Sequence, residues 1–377
     1  MPLSRRDFAR LGVLGLAAQR MPNGLAQASV TQSEPTAAGT RRIGYCVIGL
    51  GRIAEHFLEG TKNSEHSKIT ALVSGHRDKA ERIAAQYGVP RESIYSYEEF
   101  DRIATNPAID AVYVALPNSM HAEYTIRAAK AGKHVLCEKP MAISSAECQQ
   151  MIDACRNAHV KLMIAYRLHF EPITLKAFDI VRSGKLGRLQ AMEGAFGFNI
   201  KPGEWRCNKK LAGGGSLFDV GIYCLNAFRM FTGEEPLGYQ AQTSTQDHDG
   251  RFNEVEENIS WLMRFPSGAL ATGASSYGAD LNGYIRFHGA RGWLQMSSLG
   301  YQDQHLIAHY ASPQGPDSPP IEVNEANPEK DPMQFVREAD YFSECILLNR
   351  APKTPGEEGL ADLRAIEAIY KSAGVKL

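Results

Sequence analysis

Three polar residues stand at helical spacing, and two of them, Asp219 and Tyr223, have side chains that can exchange a proton with a substrate. Asp219, Tyr223 and Asn226 stand at i, i+4 and i+7 in an apolar run that follows the glycines at 213–215. This spacing puts them on one face of a helix, and because so apolar a helix is buried, that face must meet a partner or a cavity. Ser216 is a favourable N-cap, and Asp219 completes a capping box. The alternative is structural: Asp219 only caps the helix, and Tyr223 is a hydrogen-bonded core tyrosine.

Lys139 is a second candidate for chemistry. It follows a short apolar run at 134–137 and precedes Pro140, which favours an extended backbone at Lys139. Other polar residues stand at or just after the ends of predicted strands, namely Asn118, His121, Glu138, Tyr166 and Arg167.

Alternating strand and helix patterns position these residues. Strands are predicted at 43–48, 69–73, 111–116, 134–137 and 161–165, and helices at 121–131 and 144–159. Strands separated by helices predict a parallel, doubly wound sheet, so residues 41–165 are predicted to form a Rossmann domain. Such sheets bind ligands at the carboxyl ends of their strands, where the candidate residues lie.

A glycine-rich turn follows the first predicted strand and opens a helix. The turn has the pattern G-x-G-x-x-A, with residues Gly49, Leu50, Gly51, Arg52, Ile53 and Ala54. In a strand–turn–helix context this pattern predicts a dinucleotide site, because the glycines let the backbone approach a pyrophosphate at the helix N-terminus. The alternative is a tight structural turn.

The end of the second strand bears on which dinucleotide binds. NAD sites usually carry an acidic residue there for the ribose hydroxyls. This chain has Ser74, Arg77 and Lys79 instead, and Ser74 with either cation could hold a 2′-phosphate. NADP is therefore predicted over NAD, the alternative being that Arg77 and Lys79 are solvated charges.

The pattern changes after Arg167. Predicted strands at 189–198, 239–245, 258–265, 269–275, 284–288 and 293–296 are separated by tight turns, which predicts antiparallel pairing. Residues 311–332 are rich in Pro, Ser and Glu and are predicted to be a surface loop. Helices at 172–183, 333–348 and 357–371 complete the domain 166–377, the last two packing back near the first domain.

The N-terminus predicts export. Arg5 and Arg6 precede an apolar run and a small-residue cleavage site at 26–28, which predicts a twin-arginine signal at 1–28, a flexible arm at 29–40 and a periplasmic protein. The alternative is a chance basic terminus. A net charge of −1 argues against nucleic acid or anionic membrane as partners. The seven cysteines show no metal-ligand spacing, so no metal is predicted.

Together the motifs resemble the glucose–fructose oxidoreductase/inositol dehydrogenase family, known as Gfo/Idh/MocA. The resemblance rests on the glycine turn, on the Glu-Lys-Pro at 138–140 and on Asp219 with Tyr223, where many members carry histidine. Tyr223, with 205–206, 211–216 and 355–359, resembles the glucose–fructose oxidoreductase branch. The resemblance covers nearly everything after residue 41.

The resemblance implies a tightly held NADP, a second domain built on a large open, mainly antiparallel sheet, and a homodimer or homotetramer formed through that sheet. The arm before Arg41 is shorter and less proline-rich than the arm of the best-known family member, which leaves its role open. The predicted cofactor-binding residues are Gly49, Leu50, Gly51, Arg52, Ile53, Ser74, Arg77, Lys79, Tyr97, Leu116, Pro117, Asn118, His121, Glu138, Lys139, Arg167, Trp205 and Arg206.

The implied chemistry is oxidation of an aldose at C1 to the lactone, followed by reduction of a second sugar. Free tyrosine ionises near pH 10, so a tyrosine that takes a proton near neutral pH needs a nearby cation. We therefore expect Tyr223 as the acid–base, Lys139 as its activator and a substrate ligand, and Asp219 holding sugar hydroxyls or acting as the base. Two alternatives stay open: an ordinary NADP-dependent aldose dehydrogenase that releases NADPH, and a non-catalytic NADP-binding sensor.

Overall fold

Two β-sheets form the core of the chain. The structure, a computed structural model, describes residues 41–377, and the predicted signal at 1–28 and arm at 29–40 lie outside the described residues. Both sheets belong to one compact unit. Within residues 41–377, no helix is both long and apolar enough to cross a membrane.

The first sheet is parallel and has six strands. In chain order they are β1 (Ile43–Ile48), β2 (Ser67–Val73), β3 (Ile94–Tyr95), β4 (Ala111–Val114), β5 (His134–Glu138) and β6 (Leu162–Ala165). They lie in the order β3-β2-β1-β4-β5-β6. The strand order reverses between β1 and β4, which is where a doubly wound sheet opens its ligand crevice. The prediction of a Rossmann sheet is confirmed.

Helices cover the first sheet and connect it to the second. In chain order they are α1 (Arg52–Thr61), α2 (Arg77–Tyr87), α3 (His121–Lys130), α4 (Ser145–Asn157), α5 (Pro172–Arg182), α6 (Lys209–Ala212), α7 (Ile222–Thr232), α8 (Met333–Leu347) and α9 (Gly356–Ser372). The last two helices pack beside the first sheet. Tyr45 on β1 donates a hydrogen bond to the Ala339 carbonyl of α8, and Ser145 on α4 donates to Glu367 of α9.

The second sheet is mainly antiparallel and has eight strands. They are β7 (Leu189–Gly197), β8 (Gly238–Ser244), β9 (Asn258–Arg264), β10 (Leu270–Ser276), β11 (Tyr284–Gly289), β12 (Gly292–Ser297), β13 (His305–Tyr310) and β14 (Ile321–Ala326). Their order is β14-β13-β12-β11-β7-β10-β9-β8. Only β7 and β10 pair in parallel within this sheet, so the prediction of a large, mainly antiparallel sheet is confirmed.

The two strands β13 and β14 were not expected from the sequence. The predicted surface loop at 311–332 is wrong in part, because it contains β14. That strand lies at the sheet edge, and most of its side chains are exposed. Its sequence therefore lacks the apolar alternation that marks a half-buried strand, and only pairing with β13 defines it.

The helix that carries Tyr223 lies directly on the second sheet. Glycines at the contact allow this close approach: a Cβ on Gly194 would lie 2.9 Å from Cys224 Sγ, and a Cβ on Gly221 would lie 2.8 Å from Ser275 Oγ. Packing of this helix against the second sheet thus fixes the position of Tyr223 relative to the first sheet.

Candidate active site

A cavity of about 510 Å³ opens at the carboxyl ends of β1, β4 and β5. Most of the predicted cofactor-binding residues line it: Gly49, Leu50, Gly51, Arg52, Ile53, Lys79, Tyr97, Leu116, Pro117, Asn118, His121, Glu138, Lys139, Trp205 and Arg206. We call it the cofactor cavity. Its position is the one that a doubly wound sheet offers to a dinucleotide.

The glycine turn after β1 fits a dinucleotide. Gly49 has a φ of +83°, and a Cβ there would lie 2.3 Å from the Ala115 carbonyl oxygen, so only glycine is accommodated. A Cβ on Gly51 would meet nothing within 4 Å, which means that space is open in front of this backbone. Gly51 is also the N-cap of α1, and no side chain caps that helix. The free N–H groups of its first turn suit a pyrophosphate.

Only one of the three residues predicted to hold a 2′-phosphate reaches this cavity. Lys79 lines it, with Nζ 3.6 Å from the Glu55 carboxylate. Ser74 is buried, and its Oγ accepts a hydrogen bond from the His76 backbone nitrogen. Arg77 turns away and donates to the Ile94 carbonyl oxygen at 2.8 Å. The structure therefore does not bring Ser74 and Arg77 to the cleft, because local hydrogen bonds beside β3 engage both.

Two buried polar residues hold the loops of the cofactor cavity together. The His121 ring lies with both nitrogens 2.9 Å from carbonyl oxygens, those of Leu116 and Pro140. Burial lowers the pKa of His121 below its usual range. Asn118 donates from Nδ2 to the Ala212 carbonyl oxygen at 2.8 Å, which ties the loop after β4 to α6.

A second cavity of about 390 Å³ adjoins the first. Seven residues line both cavities, namely Arg52, Ile53, Lys139, Glu204, Arg206, Asp219 and Tyr301. Tyr223 and Arg167 line the second cavity and not the first. We call this second space the substrate cavity. The residues common to both, together with Tyr223, Arg167 and Tyr277 beside them, form the junction where a cofactor and a substrate would meet.

Lys139 lies at this junction. Its Nζ donates to the Asp219 carbonyl oxygen at 2.6 Å and lies 3.4 Å from Asp219 Oδ1. It also lies 4.5 Å from the centre of the Tyr223 ring. Lys139 therefore faces the ring of Tyr223, where its charge acts on the π-system, and it does not hydrogen-bond the hydroxyl.

Beneath Lys139 lies a buried acid. Glu138 accepts hydrogen bonds from Tyr113 Oη at 2.6 Å and from the Lys139 backbone nitrogen at 3.2 Å. Burial raises the pKa of Glu138, which the Tyr113 hydrogen bond and the Lys139 charge partly oppose. Because these bonds fix the backbone at Lys139, Glu138 acts as a positioning residue.

Arg167 contacts the Tyr223 hydroxyl directly. Its Nε donates to Tyr223 Oη at 3.1 Å, and Arg167 is only 4% exposed. Its Nη1 donates to the Gly300 carbonyl oxygen and to Gln334, and its Nη2 donates to the Leu299 carbonyl oxygen. A guanidinium cannot accept a hydrogen bond, so the hydroxyl proton of Tyr223 must point elsewhere and is free for a ligand in the cavity. This arrangement suits an acid–base group.

Arg167 was predicted to bind the cofactor, and Lys139 was predicted to activate Tyr223. The structure places the cations of both residues beside Tyr223. Arg167 does not line the cofactor cavity, and it is the cation that bonds the Tyr223 oxygen, because the short helical turn Arg167–Phe170 after β6 points it toward α7. Lys139 instead contacts the ring of Tyr223 and the backbone of Asp219.

Asp219 is held as an anion. Burial would raise its pKa, but the Arg206 and Lys139 cations and a hydrogen bond from Tyr277 hold the pKa below its usual range. Its Oδ2 accepts from Tyr277 Oη at 2.9 Å and lies 3.0 Å from Arg206 Nε. A carboxylate so well stabilised is a weak base, which favours Tyr223 over Asp219 for proton transfer.

The predicted capping box at Ser216 and Asp219 is wrong. Ser216 Oγ lies 3.0 Å from Ser275 Oγ and caps nothing, and residues Leu217–Gly221 form a π-helical turn before α7. The expected shared face is wrong in part, because Asp219 and Tyr223 line the substrate cavity and Asn226 does not. Asn226 lies away from the substrate cavity and donates to Asp362 in a buried network. π-Helical turns like the one at Leu217–Gly221 are frequent at functional sites.

Several residues of the junction carried no sequence signal. Tyr301 comes from the loop after β12, Tyr277 from the end of β10, and Glu204 from the loop after β7. None belongs to a motif, and tertiary packing alone brings them together. Among residues 41–377, no group of three or more His, Cys, Asp or Glu side chains is arranged to hold a metal ion.

Comparison with known families agrees with this architecture. Residues 43–166 match a family described as "Oxidoreductase family, NAD-binding Rossmann fold". Residues 174–295 match the "GFO/IDH/MocA C-terminal domain". The two matches meet close to the end of β6, between the parallel and the antiparallel sheet.

Individual relatives include several dehydrogenases. The crystal structure of aldose-aldose oxidoreductase from Caulobacter crescentus, complexed with glycerol, is 46% identical, with a TM-score of 0.83 over 89% of this chain and 100% of that chain. D-xylose 1-dehydrogenase [NADP(+)] of Haloarcula marismortui is 30% identical over 87% of this chain and 90% of its own. Trans-1,2-dihydrobenzene-1,2-diol dehydrogenase of Mus musculus is 27% identical over 87% and 96%.

Proposed function

Because this chain belongs to the Gfo/Idh/MocA oxidoreductase family, we propose that it oxidises an aldose at C1 to the lactone with a retained NADP and then reduces a second sugar. The observation that carries the proposal is the junction of the two cavities, where Arg167 fixes the Tyr223 hydroxyl beside Lys139 and Asp219. Two relatives support the substrate class: one is named for two aldoses and the other for D-xylose.

Four residues of the junction have a role in the chemistry of this proposal. Lys139 and Asp219 hold the sugar hydroxyls near C1. Tyr223 acts as the base in its tyrosinate form, whose negative oxygen Arg167 stabilises, and it becomes the neutral phenol when it takes the proton of the C1 hydroxyl. When bound, the nicotinamide supplies the hydride acceptor and, once reduced, the hydride donor. In the second half-reaction, Tyr223 returns the proton to the carbonyl oxygen of the second sugar.

A line of opposite charges supports retention of the cofactor. Arg52 on α1 lies 2.9 Å from the Glu204 carboxylate, Glu204 lies 3.7 Å from Arg206, and Arg206 lies 3.0 Å from Asp219. These four residues line both cavities, and the line runs from α1 to the π-helical turn before α7. Retention would let one bound cofactor serve both half-reactions.

Three features favour NADP. No acidic residue follows β2, Lys79 lines the cofactor cavity, and the Haloarcula relative is named for NADP(+). A lysine there can pair with a 2′-phosphate, which NAD lacks.

The test is turnover without added cofactor. Purified protein is incubated with an aldose and a second sugar across a sugar panel, and the products are separated by chromatography. Equal amounts of aldonate and reduced sugar are expected. Turnover that begins only when NADP is added would identify an ordinary dehydrogenase. Bound cofactor that reacts with no sugar would identify a sensor.

We further propose that the protein is exported to the periplasm by the twin-arginine route. A retained cofactor fits this location, because a folded holoprotein is the cargo of that route. Replacing Arg5 and Arg6 by lysine should leave the protein in the cytoplasm with its N-terminus uncut. Normal periplasmic recovery of the double variant would contradict the export proposal.

We also propose a homodimer or homotetramer formed through the outer face of the second sheet. Leu270 on β10 and Ile307 on β13 are 44% and 37% exposed, and β12, β11 and β7 lie between these two strands. Light scattering should give a dimer or tetramer, and aspartate at either position should lower the mass. A monomeric wild-type protein would contradict this arrangement.

A further inference from the structure

A histidine that the proposed chemistry does not use faces the substrate cavity. His56 lies on α1, and its Nδ1 lies 2.7 Å from Asp331 Oδ2. No group among residues 41–377 hydrogen-bonds its Nε2. A carboxylate on Nδ1 fixes the imidazole ring and favours the tautomer with the proton on Nδ1. Nε2 is then a hydrogen-bond acceptor directed away from Asp331.

Asp331 pairs with His56 through only one of its two carboxylate oxygens. Its Oδ1 is buried and has no hydrogen-bond partner within the described part of the chain. A buried carboxylate oxygen without a partner destabilises the folded state, so stability does not explain why this residue is there. Orientation of the His56 ring does explain it.

The His56 ring is also held by a stack that continues to the acid–base group. Its centre lies 5.3 Å from the Phe335 ring and 4.5 Å from the Tyr301 ring. Arg167 Cζ follows at 4.7 Å from the Tyr301 ring and at 4.8 Å from the Tyr223 ring. His56, Tyr301, Arg167 and Tyr223 form one continuous wall of the substrate cavity. His56 and Tyr223 are therefore fixed to the same wall, with Tyr301 and Arg167 between them.

We propose that His56, oriented by Asp331, is a substrate-binding residue that accepts a hydrogen bond from a sugar hydroxyl remote from C1. This inference rests on the proposed function, since it takes an aldose as the occupant of the substrate cavity. The wall places an acceptor away from the reacting carbon, where it contributes to binding rather than to proton transfer. A site that bonds a hydroxyl discriminates against the analogue that lacks it.

The test separates binding from chemistry. Aldose affinity is measured by calorimetry on the holoprotein in a Tyr223→Phe background, where turnover is suppressed. His56→Phe keeps the stacked ring and removes the acceptor, and it should raise Kd about tenfold. The matched control is His66→Phe, because His66 is a similarly exposed histidine with an acidic partner and lines neither cavity. The control should leave Kd unchanged.

Kinetics give a second measure with Tyr223 intact. His56→Phe should raise KM about tenfold and change kcat less than about threefold, because the lost bond binds ground state and transition state alike. Asp331→Ala should also raise Kd, by about twofold to fivefold, because the His56 ring loses its orientation but keeps its acceptor nitrogen. The intact protein should bind one monodeoxy aldose about tenfold more weakly than the parent sugar.

The outcomes are distinguishable. A folded His56→Phe protein with unchanged Kd and KM overturns the inference, and so does a monodeoxy panel in which every analogue binds like the parent sugar. If His56→Phe does not fold, Asp331→Ala decides, because it must weaken binding and reduce the penalty for that deoxy analogue. If the intact protein oxidises no aldose although His56→Phe still weakens aldose binding, the proposed function fails and this inference stands.

Discussion

The two cavities meet at Lys139 and Asp219 but are built in different ways. The cofactor cavity lies at the ends of neighbouring parallel strands and includes the backbone turn at Gly49 and Gly51. The substrate cavity is formed by side chains from separate segments, as with His56, Arg167 and Tyr301. A backbone site follows from one local motif, whereas a side-chain site follows only from the packing of the two sheets. A single substitution should therefore reduce cofactor affinity by a small factor in the cofactor cavity and reduce the reaction rate by a large factor in the substrate cavity.

The largest effect is expected at the junction. Tyr223→Phe keeps the ring and removes the hydroxyl, so the rate should fall by about 10²–10⁴ while stability and cofactor content hold. Lys139→Ala should act on the same step, and the double variant should lose far less than the product of the two single losses. Steady-state kinetics with matched melting curves measure this. A Tyr223→Phe enzyme within a few-fold of wild type would move the base role to Asp219.

Arg167 should have the next largest effect. Arg167→Met fills similar space and removes the hydrogen bond to Tyr223, so kcat should fall by about 10–10² with cofactor content unchanged. Single-turnover rates and bound-cofactor absorbance measure the two quantities. The matched control is Arg251→Met, a buried arginine that lines neither cavity. Loss of cofactor together with rate in Arg167→Met would show that Arg167 belongs to the cofactor cavity after all.

A smaller effect is expected at the cofactor cavity. Lys79→Ala should weaken NADP about tenfold and leave NAD unchanged, because only NADP carries a 2′-phosphate. Arg77→Ala is the matched control and should change neither affinity, since its guanidinium bonds the Ile94 carbonyl oxygen. Fluorescence titration of cofactor-stripped protein gives both constants. Equal loss in the two variants would restore the sequence-based interpretation of this loop.

The smallest effect is expected at the ion pairs of Glu204. Glu204→Gln removes the charge between Arg52 and Arg206, and exposed ion pairs contribute only about 0.2–1 kcal/mol. Cofactor dissociation should therefore speed up by about twofold to fivefold, and high salt should narrow the difference from wild type. Dissociation is followed by exchange with excess free cofactor. A variant that releases cofactor no faster at low salt would remove these ion pairs from the account of retention.

The sequence was sufficient for the first sheet and for the position of the cofactor cavity. The motif at Gly49 and Gly51, read with the alternating strands, predicts both because strand, turn and helix are local. Lys139 and Tyr223 were also identifiable from their motifs. Backbone geometry that depends only on near neighbours can be predicted from the local sequence.

Contacts between distant segments could not be predicted in this way. The spacing of Asp219 and Tyr223 was interpreted for an α-helix, and residues Leu217–Gly221 form a π-helical turn instead. Arg167 was recognised as a strand-end residue, but its bond to Tyr223 depends on how α7 lies on the second sheet. Tyr301 follows no pattern at all. These features come from packing, which residue spacing does not encode.

The central claim is that an aldose in the substrate cavity reduces a cofactor held in the neighbouring cavity, while Tyr223 takes the proton of the aldose hydroxyl. The most direct measurement is the absorbance of the holoprotein as purified, mixed rapidly with an aldose and with no cofactor added. We expect the band of reduced nicotinamide to appear in one turnover in wild type, to vanish on addition of a second sugar, and to appear about 10²–10⁴ times more slowly in Tyr223→Phe. A holoprotein whose absorbance no aldose changes, or a Tyr223→Phe protein that is reduced as fast as wild type, would contradict the claim.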